Sequence, residues 1–413
     1  MLKQSKSSPP RMIGKWLFPI ILVATVLQNY FDIEAILSGA NLNLTSYEGP
    51  IIFKVFKDFL YLSLLVMVTW IAFRTRRSPV STSSMLFGLV MLISFVISTA
   101  LNDLTIAAIG LRWVIPFVIF LVLRDLAARI NPRRGTFWLL FGMLACLGVQ
   151  IYELFNMPPI YGEILGGWPA RTPGFFLAPN STAFFACCCC ACILIFAHEQ
   201  NKIRMIAAGL SLAICLLAQS GTGIVTATLL LIWIVQGGRF TLWSVAVAAV
   251  IGALIFLNLD TITMREDYVA ASGGNRVDIF INTLSISLAS IGDFGIYTNA
   301  GTLQQSAFAI NFAVDSLWAS WFGNFGVLAP VEIAIVAVFV VQDMSTVNWR
   351  AALPCVLVFL FFSMTTIIFE AFPMNLLLGI GIWASQNVPR RFTPNVVTRL
   401  HHAKSSDACG GTA

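Results

Sequence analysis

Three arginines, Arg171, Arg265 and Arg276, and two nearby carboxylates, Asp278 and Asp315, lie between apolar runs rather than inside them. A planar guanidinium can meet two phosphate oxygens at once. A carboxylate beside a hydroxyl can take its proton. Arginines in external segments therefore fit an anionic ligand at the outer surface. Each has a plainer alternative: the arginines could pair with acids such as Glu163, Asp267 or Asp278, and Asp315 could cap a helix. Arg112 falls near the middle of an apolar run, where an unpaired charge is costly. It must therefore face the bundle interior or a wet cavity, as an ion pair or as a ligand contact.

Other chemistries lack their residues. The histidines are His198, His401 and His402, and five of nine cysteines crowd positions 187–192. Consecutive helical residues point in different directions, so these cysteines form neither a disulfide framework nor a spaced metal motif. They read as small apolar residues that pack helix on helix. There is no Walker motif, no HExxH and no GxGxxG before a helix, so neither a metal nor a cofactor is expected. The formal charge of +6 comes from scattered Lys and Arg rather than a long basic run, which excludes nucleic acid as the expected partner.

The elements that must position these residues are membrane helices. Hydrophobic residues make up 58 % of the chain and charged ones 11 %, and the mean hydropathy is +0.84. Such a composition cannot cover a water-facing surface. Windows of about 20 apolar residues fall near 16–35, 55–73, 84–101, 104–123, 137–154, 181–197, 203–219, 221–236, 241–259, 324–342, 351–370 and 372–386. The expected fold is therefore all-α: a polytopic membrane helical bundle of about twelve spans over 1–386, with both termini cytoplasmic and a short disordered tail over 387–413. Most Lys and Arg then fall in alternate loops, as the positive-inside bias requires. The six exceptions are Lys54, Lys57, Arg112, Arg171, Arg265 and Arg276. Two loops, 155–180 and 260–323, are long and external. The stretch 277–291 within the second has helical spacing and is expected to lie along the membrane surface.

Four ordered motifs resemble the O-antigen ligase and Wzy polymerase superfamily. Arg171-Thr-Pro-Gly174-Phe-Phe-Leu-Ala-Pro179-Asn180 is similar to an Arg-x-x-Gly…Pro-Asn segment that runs into a span. Gln219-Ser220-Gly221-Thr222-Gly223 is similar to a Ser-containing turn between two spans. Asn275-Arg276 followed by Gly292 to Gly295 resembles an arginine-led segment of the large periplasmic loop. Asp315-Ser316-x-Trp318 followed by Gly323-x-x-Gly326 resembles the closing pattern. Ligases of this family usually carry histidine where this chain has Asp315, and aspartate there looks more like a polymerase.

The resemblance implies a metal-independent glycosyltransferase of the bacterial inner membrane. It would join undecaprenyl-pyrophosphate-linked oligosaccharide repeat units into an exopolysaccharide or O-antigen on the outer face. Arg171, Arg276 and Asp315 would be catalytic, and Arg265, Asp278, Asn180 and Arg112 would bind substrate. A chain-length regulator and a flippase are the partners to look for beyond the lipid-linked substrate. An O-antigen ligase and a lipid-linked oligosaccharide flippase or transporter are the alternatives.

Overall fold

The computed structural model describes residues 9–37, 51–75, 82–156, 171–176, 178–238, 275–288, 293–298 and 316–389. The expected span at 241–259, most of both long loops and the tail beyond Pro389 lie outside the described residues. What is described is all helical, without strands. The elements are α1 (Pro9–Leu37), α2 (Ile51–Thr75), α3 (Thr82–Leu101), α4 (Leu104–Val122), a single turn α5 (Arg124–Ala127) and α6 (Pro132–Asn156). They continue as α7 (Pro179–Phe196), α8 (Asn201–Leu217), α9 (Gly221–Val235), α10 (Asn275–Leu288), α11 (Leu317–Phe325), α12 (Ala329–Gln342), α13 (Trp349–Ser363) and α14 (Met374–Ala384).

Apolar side chains point outward as well as inward. Phe155 is 79 % exposed and Val341 75 %, an arrangement that water would oppose and hydrocarbon accepts. Among the described residues, five helical stretches are long and apolar enough to cross a membrane: Thr82–Leu101, Leu104–Leu121, Pro132–Asn156, Pro179–Phe196 and Leu317–Thr346. Three shorter apolar helices, Trp16–Tyr30, Gly221–Val235 and Trp349–Ser363, accompany them.

Where the helices depart from the expected boundaries, local chemistry gives the reason. The stretch expected at 324–342 begins earlier, at Leu317, and breaks at Gly326, whose φ of 52° and ψ of −128° lie outside helical geometry. Proline at the start of α7 and near the start of α12 is compatible with helix, because the first turn needs no N–H from it. Asp103 ends the tight α3–α4 connection by accepting a hydrogen bond from the Thr105 N–H at 3.1 Å.

At the centre stands α7, packed by α6, α8, α9, α13 and α14. Its cysteines Cys187 to Cys190 and Cys192 are fully buried, and Cys192 donates to the Leu377 carbonyl at 3.1 Å. Small side chains let the backbones approach: a Cβ on Gly223 would sit 2.6 Å from that of Ala183. In lipid, where burial brings little hydrophobic gain, such contact supplies much of the cohesion between helices.

Several of the described cations share one end of the bundle. Arg124, Arg133, Arg134, Lys202, Arg204 and Arg350 follow or open helices at one end of the bundle, the end where α7 finishes. That end is also joined by Gln386, which donates to the Arg124 carbonyl, and by the cavity that brings Arg204 and Arg350 together. Arg171 stands at the other end, where α7 begins.

Candidate functional site

The Arg171 segment is held on three sides. Arg171 is half-buried; its Nε donates to the Ala218 carbonyl at 3.1 Å and its Nη2 to Asn180 Oδ1 at 2.7 Å. Thr172 reaches the Leu217 carbonyl through both its N–H, at 3.2 Å, and its hydroxyl, at 2.9 Å. Thus the first motif is fastened to the end of α8, directly before the second motif, Gln219–Gly223. Gln219 there has a positive φ of 47°, and Ser220 caps α9 by accepting from the Gly223 N–H. Gly174 takes a left-handed φ of 61°.

Two polar residues of α6 that sequence reasoning passed over support this segment. Gln150 donates to the Thr172 and Ile214 carbonyls, and Glu153 accepts the Gly174 N–H at 2.8 Å. Both are fully buried. Their i, i+3 spacing at the end of an apolar run puts them on one helix face, which is the signal that could have revealed them. Carboxylates also occur within the helices: Glu153 in α6, Asp58 in α2 and Glu332 in α12. Glu332 is fully buried, and neither of its oxygens has a hydrogen-bond partner among the described residues.

The third and fourth motifs pack on each other. Residues 293–298 form a turn in which the Asp293 N–H donates to the Gly323 carbonyl and the Gly295 N–H to Asn324 Oδ1 at 2.8 Å. Asn324 and Ser320 both donate to the Tyr297 carbonyl. Ser98 of α3 donates to the Phe294 carbonyl at 2.6 Å, tying the turn to the α3–α4 pair. Burial raises the Asp293 carboxyl above its ordinary range. Burial, helped by nearby Asp293, does the same for the Tyr297 phenol.

At the start of α11 the N-cap position is Ser316, whose hydroxyl donates to the Ser363 carbonyl. Trp318 Nε1 donates to Ser363 Oγ at 3.1 Å. The neighbouring Phe362 stacks on Phe184 of α7, 4.4 Å between centroids. The fourth motif therefore shares an end of the bundle with Arg171 and Asn180.

Arg112 forms a two-pronged ion pair with Asp58 of α2: Nε to Oδ1 at 3.2 Å and Nη2 to Oδ2 at 2.9 Å. The pair lines a polar cavity of about 130 Å³ together with Lys57, Tyr61 and Glu370. Pro116, one turn on, has no N–H to offer the Arg112 carbonyl. Behind this cavity lies an apolar groove of about 340 Å³ whose lining runs from Leu317 and Trp318 to Met344 and Trp349. Pro116 and Phe369 line both spaces. Packing of Phe369 against Trp113 (5.0 Å) and Phe117 (5.1 Å) makes the partition between them aromatic.

The sequence-predicted residues are thus distributed unevenly. Arg171 and Asn180 are joined by a hydrogen bond, and Arg112 stands apart in its own cavity. Arg276 and exposed Asp278 occupy the first turn of α10, which packs on α11. Arg265 and Asp315 lie outside the described residues, although Asp315 directly precedes Ser316. No group of three or more His, Cys, Asp or Glu side chains that could hold a metal ion occurs among the described residues. No protein-family model, curated protein or solved structure matches the chain.

Proposed function

We propose that the chain is a twelve-span polymerase of the bacterial inner membrane, with both termini in the cytoplasm and the segments 155–180 and 260–323 outside. It joins oligosaccharide repeat units carried on undecaprenyl pyrophosphate. In this reading Arg171 and Arg276, with Arg265, hold the diphosphate and stabilise the charge that builds on it. Asp315 takes the proton of the acceptor hydroxyl. The hydroxyl oxygen then bonds to the donor's anomeric carbon, the bond from that carbon to the diphosphate breaks, and the lipid diphosphate departs. Asn180 and Asp278 contact sugar or diphosphate, and the Arg112–Asp58 cavity serves as a polar subsite.

The observation that carries this reading is the gathering of the motif residues at one end of the bundle. Arg171 is clamped between Asn180 and the α8–α9 turn, and Ser316 and Trp318 are fixed on Ser363, with Trp318 lining an apolar groove. A charged headgroup and an apolar tail need these two surroundings side by side.

The test combines a deletion with the Asp315→Asn variant. Cells lacking the chain should accumulate single lipid-linked repeat units and no long polymer. Their lipid extract should be elongated by membranes that contain the wild-type protein. Asp315 precedes the N-cap, so amidation leaves the start of α11 intact, while loss of a general base typically costs about 10²- to 10⁴-fold in rate. Asp315→Asn membranes with normal protein content should therefore elongate little. Finished polymer that stays on the lipid carrier in deletion cells would identify a ligase. Normal polymer in those cells would refute the assignment.

A further inference from the structure

Glu332 of α12 is a carboxyl closed in by helix packing. It is fully buried, and neither of its oxygens has a hydrogen-bond partner among the described residues. What stands opposite it follows from the register of α12 on α3.

These two helices run antiparallel. Ser83, at the start of α3, donates to Asp343, directly after α12, at 2.8 Å. Phe87 of α3 meets Ile335, Val336 and Phe339 of α12 around one crevice. The buried residues of α3, from Ser83 through Phe87, Met91 and Ser94 to Ser98, recur once per turn along a single face. Glu332 stands as many residues before Asp343 as Ser94 stands after Ser83. Both helices rise equally per residue, so Glu332 and Ser94 share a level, near the middle of α3. Ser94 is buried too, and its hydroxyl has no partner among the described residues.

Charge compensation is missing from the elements packed around this level. Neither α3, α11 nor the turn Gly326–Leu328 contains an ionisable side chain. Arg112 of α4 is paired with Asp58 of α2, and Asp343 is bound to Ser83. Asp293 and Tyr297 stand on the 293–298 turn, and Arg276 and Asp278 in the first turn of α10. A carboxylate sealed between helices without a cation or an N–H donor is costly. The neutral acid removes that charge and gains a hydroxyl whose hydrogen Ser94 Oγ can accept.

The 293–298 turn rests on both sides of the same contact. Ser98, one turn beyond Ser94, donates to the Phe294 carbonyl. The Asp293 and Gly295 N–H groups donate to Gly323 and Asn324 of α11, which leads through the Gly326 break into α12. We infer that Glu332 is a proton-binding site: the α3–α12 contact closes on the neutral acid, and loss of the proton parts the helices and loosens the 293–298 turn. The contact is intact below the range in which a desolvated carboxyl ionises and weakens as pH rises through it. This device is independent of the polymerase reading, since neither Glu332 nor Ser94 has a part in the proposed transfer.

Full-length protein in nanodiscs tests it with two measurements. Infrared difference spectra between about pH 6 and about pH 10 should show the carbonyl stretch of an un-ionised carboxylic acid lost at the higher pH. Glu332→Gln should lack that band. In hydrogen–deuterium exchange, corrected for intrinsic rates, the 293–298 segment of the wild type should exchange about threefold faster at the higher pH. The Gln variant should show no such rise. Glu332→Met, apolar and of similar length, takes its place if the amide variant is not recovered folded. An acid band that is missing at the lower pH, persists at the higher one or survives in the variant overturns the inference. So does turn exchange that rises equally in both proteins.

Discussion

Arg171 engages two of its N–H groups with the protein itself, so the residue expected to grip a diphosphate is also a structural clasp between two motifs. Lysine keeps the charge but has no fork that can span the Ala218 carbonyl and Asn180 Oδ1 together. Hydrogen bonds from a charged donor contribute about 1.5–3 kcal/mol each. Arg171→Lys is therefore expected to lower the unfolding temperature in detergent as well as to abolish polymer. Asn180→Ala removes one of the same two contacts and retains the guanidinium, so it should keep most of the stability and a measurable fraction of polymer. An Arg171→Lys protein with wild-type thermal stability and wild-type polymer length would remove both roles. The chemical types at Arg171 and Asn180 were readable from the sequence, but their partnership was not. It depends on the other contact of Arg171, the backbone carbonyl of Ala218, and carbonyls carry no residue-type signal. Glu153 and Gln150 escaped for a related reason, because a polar residue at the end of an apolar run looks like a headgroup contact until a chain segment is seen folded onto it.

At the scale of elements, periodicity and hydropathy located most helices to within a few residues, because a run of apolar side chains is the dominant physical signal in such a chain. The amphipathic stretch 277–291 appears as α10 (Asn275–Leu288), and 181–197 as α7. The break between α11 and α12 was hidden, since Gly326 in an apolar run reads as a helical residue. The small residues of the third and fourth motifs acquire their meaning only in three dimensions. Gly295 has φ of 98°, and a Cβ there would lie 1.9 Å from the Ile106 carbonyl oxygen of α4. Gly323 faces the Tyr297 ring, where a Cβ would fall 2.2 Å from Cγ. Gly295→Ala thus combines an unfavourable backbone region with overlap against a helix backbone that cannot move aside, a cost of about 3 kcal/mol or more. The expected result is a sharp loss of monodisperse protein on size exclusion. Gly209→Ala, where a Cβ would meet nothing within 4 Å, should be neutral. Equal behaviour of the two variants would mean that the 293–298 turn does not dock on α4 as described.

For the whole molecule, the segregation of charge is the feature that links topology to function. Arg124, Arg133, Arg134, Lys202, Arg204 and Arg350, at the α7 C-terminal end, lie where the positive-inside bias expects cytoplasmic loops, and Arg171 lies at the other end of the same helix. A span count need not reach twelve for this relation to hold, because one helix, α7, already crosses between the two ends and is long and apolar enough for a bilayer. The prediction is that the Arg171 end and the loop containing position 272 face outward, while Arg133, exposed at the start of α6, faces the cytoplasm. Single cysteines placed by Ser272→Cys and Arg133→Cys can be probed with a membrane-impermeant maleimide on intact and then permeabilised cells. Eight native cysteines are buried, so Cys409→Ala should give a quiet background without further substitution. Position 272 should label in intact cells and position 133 only after permeabilisation. The reverse pattern would put the arginine clamp and the lipid diphosphate on the wrong side of the membrane for polymerisation outside the cell.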